Sequence, residues 1–402
     1  MQETLFILGR EPELSVAELE AVALSWVATV TTVSKDAAIL KHDKDLPEKA
    51  LDRLGGSVKQ VKVLERWPLS TNLVNTLIEQ LTPEWAEQHF AEGRIEFGMS
   101  VYGASNSERA AANRQGLRLK KDLVASDRPV RYVISREPQL SAVMVTKNGL
   151  LKKGKEFIFV KTPQEVIVGI TTAVQDFESY GLRDFGRPAA NAKSGMVPPK
   201  LAQMMLNIAN VHEQTVLLDP FCGSGTILQE AVMLGVRKLF GTDIAGQAVK
   251  DSQENLRWLF KQFPNIQADV EITSREAQHI NVAADVIVTE PYLGKPLRGH
   301  EPQPWLHQQA KELQTLYLRC FEEWAKKLRP GSRVVMIWPE FVFPGENVIV
   351  DIEQAVHNLG FRQEQLVSND SAKVLNMENP KKLIYARDDA RILRQIRKWT
   401  LG

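Results

Sequence analysis

Downstream of Val216 short apolar runs alternate with segments of helical period, and this alternation constrains the fold more than any other feature. VLLDP, KLFGTDI, DVEITS, ADVIVTEP and RVVMIWPEF read as five strands. TILQEAVMLG, GQAVKDSQENLRWLF and the long PWLHQQAKELQTLYLRCFEEWAKKL, stopped by RPG, read as helices between them. IEQAVHNLG is a further short helix, FRQEQLVSND with KKLIYAR is expected to close the sheet as a hairpin, and the C-terminal segment reads as a helix. Strands and helices alternating at these lengths predict an α/β fold: a mostly parallel, Rossmann-like sheet with helices on both faces. Such sheets bind ligands outside the carboxyl ends of their strands.

The first half is an α+β pattern. LFILG is a strand, and SVAELEAVAL a helix with Ser15 as its expected N-cap and Glu18 three residues on. Strands are expected at VKQVKVLER, IEFGMSVYG, PVRYVIS, LSAVMVT and EFIFVK, with RAAANRQGLRLKKDLVA a helix between two of them. The divisions that follow are a ferredoxin-like α+β region at 1–60, a second domain at 61–170, a linker at 171–191 rich in Gly, Pro and polar residues, and the Rossmann-like domain at 192–402.

Composition excludes several classes. No apolar run is long enough to cross a bilayer, and MQETLFILGR lacks the basic start of a signal peptide. Only Cys222 and Cys320 occur, which leaves no disulfide framework and fits a reducing cytoplasm. The seven histidines have no zinc-ligand spacing, so no metal is expected. The net charge of +1 hides an asymmetry: residues 100–161 hold thirteen basic and five acidic side chains. A local excess of that kind attracts polyanions, although a solvated basic face has the same composition.

DPFCGSGT, Asp219–Thr226, follows the first strand of the alternating half and opens a helix. Gly223 and Gly225 allow a sharp turn and close approach of a ligand. The third glycine of the dinucleotide fingerprint is missing, and so is the Gly-Lys-Ser/Thr of a P-loop. An acid directly before the glycines repels phosphate and suits a cationic ligand. Asp243, ending the next strand, suits ribose hydroxyls. Together they point to S-adenosylmethionine.

DPFCGSGTILQEA and the EPY of VTEPYLGKPLRG resemble class I RNA methyltransferases that carry a THUMP domain. The nearest pattern is that of the tRNA guanine-N2 methyltransferases acting on guanosine-10, in their archaeal and eukaryotic form. TLFILGREPELSVAELEAV, the stretch RPVRYVISREPQLSAVMVTKNGLLKKGKEFIFVK and YGLRDFGRPAANAKSGMVPPKLAQMMLNIA are similar to further blocks of that family. The resemblance implies that Asp219, Phe221, Gly223, Ser224 and Gly225 line the methionine moiety. It implies that Asp243 with Ile244 serves the ribose end, that Glu276 meets the adenine amine, and that Ser194, Gly195 and Pro198 lie nearby. It makes 61–170 a THUMP-like RNA-binding domain, expected to bind structured RNA with strong salt dependence. A small protein partner joins tRNA among the expected partners.

The family pattern at the fourth strand end is Asp-Pro-Pro-Tyr, whereas this chain has Glu290, Pro291, Tyr292, Leu293 and Gly294. An exocyclic amine is a poor nucleophile because its lone pair is delocalised into the ring. A carboxylate accepts hydrogen bonds and donates none. Glu290 with the carbonyl of Pro291 would accept both N–H bonds, and Tyr292 would stack on the flipped base. Glu290, Pro291 and Tyr292 are therefore the expected catalytic set. Two alternatives stay open: adenine-N6 methylation of nucleic acid, which uses a similar motif, and an RNA-binding scaffold with a retired site. Lys295, Arg298 and His300 are candidate phosphate contacts, and Arg391, Arg394 and Arg397 a candidate basic stripe on the C-terminal helix.

Overall fold

A computed structural model describes residues 2–125, 128–137, 139–189, 196–387 and 390–402. Its first half is built on strands β1 (Gln2–Leu8), β2 (Ala28–Ser34), β3 (Ala37–His42), β4 (Ser57–Pro68), β5 (Ile95–Tyr102), β6 (Val130–Val133), β7 (Lys155–Lys161) and β8 (Glu165–Val174). Helices α1 (Pro12–Ser25), α2 (Leu73–Gln80), α3 (Pro83–Glu87), α4 (Asn106–Val124), α5 (Ala142–Lys147) and α6 (Phe177–Phe185) accompany them. The eight strands form one sheet in the order β2-β3-β1-β4-β8-β7-β5-β6. Strand β4 crosses the sequence division at 60/61 and β8 that at 170/171.

The second half follows with α7 (Pro199–Ile208), β9 (Val216–Asp219), α8 (Thr226–Met233), β10 (Lys238–Asp243), α9 (Gly246–Gln262), β11 (Asp269–Ser274), β12 (Val286–Thr289) and α10 (Gln303–Lys327). Then come β13 (Arg333–Phe341), β14 (Val348–Ile349), α11 (Glu353–Asn358), β15 (Phe361–Gln363), α12 (Asn369–Leu375), β16 (Leu383–Tyr385) and β17 (Ile392–Leu401). The main strand order is β11-β10-β9-β12-β13-β17-β15. Strands β9 to β13 are parallel, and β17 runs antiparallel to β13. The order reverses between β9 and β12, so the crevice at their carboxyl ends is the place where such a fold takes a ligand. Asp219 and Glu290 sit at those two ends.

The structure differs from the local reading in four places. Helix α1 starts at Pro12 after Glu11, so Ser15 lies within it, its hydroxyl donating to the carbonyls of Glu11 and Gly56. Glu18 is then no capping-box partner: it is buried and accepts the amides of Gly55 and Gly56, both at 2.8 Å, and the Asn207 side chain on α7. LSAVMVT is helix α5, because the Ser141 hydroxyl caps it by accepting the Met144 amide. The C-terminal segment is strand β17, paired with β13 from Ile392 to Thr400. FRQ and LIY do not pair with each other; β15 and β16 each pair with β17.

The two halves share an apolar core. Leu14 and Leu19 of α1 belong to the same buried cluster as Leu201 and Met205 of α7 and Leu228 of α8. On the other face of the second sheet, Tyr317, Phe321 and Trp324 of α10 are buried with Trp338 of β13 and Trp399 of β17. The Trp338 and Trp399 rings stack at 6.1 Å. Buried aromatics of this size fix α10 firmly against the sheet. That matters for the site, because α10 forms one of its walls.

Candidate active site

A cavity of about 980 Å³ opens at the carboxyl ends of β9, β10 and β12. The turn after β9 makes its floor. Gly223 (φ +50°) and Gly225 (φ +83°) both use left-handed backbone, which costs glycine little. A Cβ at Gly223 would meet no protein atom within 4 Å, whereas one at Gly225 would meet the Ser252 hydroxyl at 2.3 Å. Gly223 and Ser224 line the cavity; Gly225 stands behind the wall as the N-cap residue of α8. Its smallness is thus required by packing.

Asp219 is buried at the end of β9. Its Oδ1 accepts the Thr289 hydroxyl at 2.7 Å and the Phe221 amide at 3.2 Å. Burial nevertheless pushes its pKa up to about 7; the two hydrogen bonds oppose the rise, and the negative charges of Asp243 and Glu290 add to it. Asp243 ends β10 and ties the glycine turn to its own loop, with Oδ2 accepting the Gly223 amide at 3.0 Å and Oδ1 the Ala245 amide at 2.9 Å. A carboxylate has about four acceptor sites, so two remain for a ligand. Ile244 beside it lines the cavity although it is 72% exposed. Glu276 is exposed on the same rim, its Oε2 accepting the Gln278 amide nitrogen at 2.5 Å. Cys222 is buried, and burial raises its thiol pKa well above the usual range, so it is a poor nucleophile.

Glu290, Pro291 and Tyr292 lie together on the opposite wall. Pro291 is buried and Tyr292 is 52% exposed. The Tyr317 hydroxyl of α10 donates to the Tyr292 carbonyl at 2.7 Å, which fixes the backbone of this turn. Gly294 (φ +98°) ends it, and the Lys295 amide donates to Gln309 on α10. Burial raises the pKa of Glu290; Arg394 pulls it back by charge and by hydrogen bond, and Arg387 assists by charge. The Arg394 Nε donates to Glu290 Oε1 at 2.6 Å.

The expected stripe of three arginines is therefore replaced by three separate tasks. Arg394 grips Glu290, and Arg391 holds the Leu297 carbonyl at 2.9 Å. Arg397 is buried over the Trp338 ring at 4.3 Å and pairs with Glu353. In a strand, an odd separation such as 394 to 397 puts side chains on opposite faces. Ser194 and Gly195 lie outside the described residues. Pro198 precedes α7 and lines a second cavity of about 410 Å³, while Met196 and Val197 reach the first. Sequence reasoning does not single out Thr289, and it places Arg394 in a basic stripe rather than beside Glu290. Thr289 had a signal, since it directly precedes Glu290; Arg394 had none within its own segment.

The second half has a Rossmann-like fold, and part of it is similar to a known family. Residues 187–342 match the family described as UPF0020: RMKL-like, methyltransferase domain. A tRNA (guanine(10)-N2)-dimethyltransferase of Methanothermobacter thermautotrophicus is 39% identical over 102 residues, 25% of this chain and 28% of that one. A tRNA (guanine(10)-N(2))-methyltransferase of Saccharomyces cerevisiae is 26% identical over 175 residues, 40% of this chain and 39% of the relative. The chain thus spans well under two thirds of the length of these curated relatives. The crystal structure of TrmN from Thermus thermophilus matches in fold across 100% of both chains, with a TM-score of 0.56 and 16% identity. Among the described residues no helix is long and apolar enough to cross a membrane.

Proposed function

We propose that this chain transfers a methyl group from S-adenosylmethionine to the N2 amine of a guanosine in tRNA, guanosine-10 by the names its relatives carry. One observation carries the reading. An acceptor set at the end of β12 shares a cavity with an acid-flanked glycine turn at the end of β9, across the point where strand order reverses.

The residues fit the methyl donor. Asp219 and Asp243 place negative charge around the turn, which favours a cationic ligand over a phosphate. Asp243 keeps acceptor sites for ribose hydroxyls, Ile244 offers an apolar face to a purine, and Glu276 offers an acceptor for its amine. When bound, the donor supplies a methyl group on cationic sulfur, which departs as a neutral thioether.

On the facing wall, Glu290 and the Pro291 carbonyl accept the two N–H bonds of the amine and turn its lone pair toward the methyl. Glu290 also stabilises the positive charge that develops on nitrogen and is the acceptor for the proton that the methylated amine sheds. Tyr292, half exposed at the rim, provides a stacking surface for a flipped base. The RNA would be gripped by the first half, where Arg114, Arg118 and Lys121 are exposed on α4.

Digestion of unmodified tRNA after incubation with the protein and S-adenosylmethionine tests this. N2-methylguanosine is the expected product. N6-methyladenosine would move the chain to the adenine class, and absence of any methylated nucleoside would favour the scaffold reading. Full turnover by the isolated chain would mean that no small protein partner is needed.

A further inference from the structure

We propose that Arg394 is a positioning residue for Glu290: it holds one carboxylate oxygen so that the other is presented to the amine being methylated. The inference rests on the reading of Glu290 as the acceptor for that amine.

Glutamate has one more rotatable bond than the aspartate of the related motif. An untethered glutamate would spread its acceptor atoms over several rotamers. Arg394 removes that freedom from outside the motif. It lies on β17, which is antiparallel to β13 and one strand removed from β12, so its side chain comes from the far side of the sheet order. The contact is short, Nε to Oε1 at 2.6 Å, and both side chains are about one-seventh exposed. Both border the same cavity. With Oε1 engaged by a cation, Oε2 retains its lone pairs for a ligand. The pairing also changes the charge state. Burial disfavours the ionised carboxylate, and Arg394 opposes that effect most strongly. Among the described residues, the other groups facing Glu290 are Arg387 ahead of β17, Asp219 at the end of β9 and the Tyr317 hydroxyl on α10. Of these only Arg387 shares the sign of Arg394.

The test measures kcat, KM and S-adenosylmethionine affinity for Arg394→Ala and Arg394→Lys across pH, beside Glu290→Ala. Arg394→Ala is expected to lose about a hundredfold in kcat, the scale of a small misplacement of a catalytic group, with unchanged cofactor affinity. Activity needs the ionised carboxylate, so it falls as pH drops through the Glu290 pKa. Loss of Arg394 raises that pKa, and the acid limb of the profile moves to higher pH. Arg394→Lys should restore the limb by its charge but only part of the rate, since an ammonium lacks the planar geometry of the guanidinium. Wild-type kcat and limb in Arg394→Ala, with Glu290→Ala inactive, would overturn the role of Arg394. Loss of cofactor affinity without a shifted limb would do the same, because that is the signature of a purely structural ion pair. Full activity of Glu290→Ala would instead discard the reading of Glu290 itself.

Discussion

Glu290→Ala is expected to lower methyl transfer by about 10²–10³-fold, the range for removing one group that stabilises developing charge, while S-adenosylmethionine still binds. The two effects separate because Glu290 lies on the wall opposite the glycine turn and, among the described residues, is hydrogen-bonded to Arg394 and not to that turn. Glu290→Gln is the companion variant. It keeps volume and an acceptor but lacks the charge, and it should retain the fold while losing most of the rate. Equal losses in kcat and in kcat/KM are the kinetic form of an interaction made only in the transition state. Cofactor affinity from calorimetry and single-turnover rates with tRNA check both parts. A variant that keeps the rate at saturating cofactor but binds the cofactor more weakly would reverse the assignment of the two walls.

The second large effect concerns Asp219. Its pKa, pushed up to about 7 by burial, falls when a cation is bound nearby, so cofactor binding near neutral pH releases a proton. Affinity for S-adenosylmethionine should therefore rise with pH between about pH 6 and pH 8, by at most about tenfold per unit for one linked proton. Asp219→Asn should flatten this dependence and weaken binding by about 10- to 100-fold, the worth of one charge-assisted interaction. Without ligand the sign is opposite for stability. A carboxyl whose folded pKa is raised contributes stability below its ordinary value, and the contribution is lost as pH rises through about 7. Cofactor affinity that is flat across this range in the unmodified protein would remove Asp219 from the binding account.

The parts of this site that sequence reveals are those made by consecutive residues. Asp219 to Thr226 is strand end, turn and helix start in one run, and Glu290 follows four buried strand residues directly. The same locality explains the parallel half of the second sheet, where each strand and its helix are neighbours in the chain. The failures at β17, Glu18 and Arg394 share the opposite property. Strand β17 is defined by pairing with β13 on one side and with β15 and β16 on the other, and its arginines mimic a helical face at the spacing i, i+3. Glu18 looks like a capping residue until Asn207, 189 positions away, supplies its partner. The pair between Glu290 and Arg394 spans 104 positions. No local pattern carries such a contact, and it is the one that makes sense of the longer acid in the altered motif.

The most direct measurement uses labelled S-adenosylmethionine and two tRNA transcripts that differ at one atom group. In the first the target guanosine is intact. In the second it is inosine, which keeps the purine ring and its 6-oxygen but lacks the exocyclic N2 amine. Label in the guanosine transcript and none in the inosine transcript is the predicted result, since Glu290 and the Pro291 carbonyl would have no amine to hold. Equal labelling of both would show that the methyl goes elsewhere and would contradict the account at its centre.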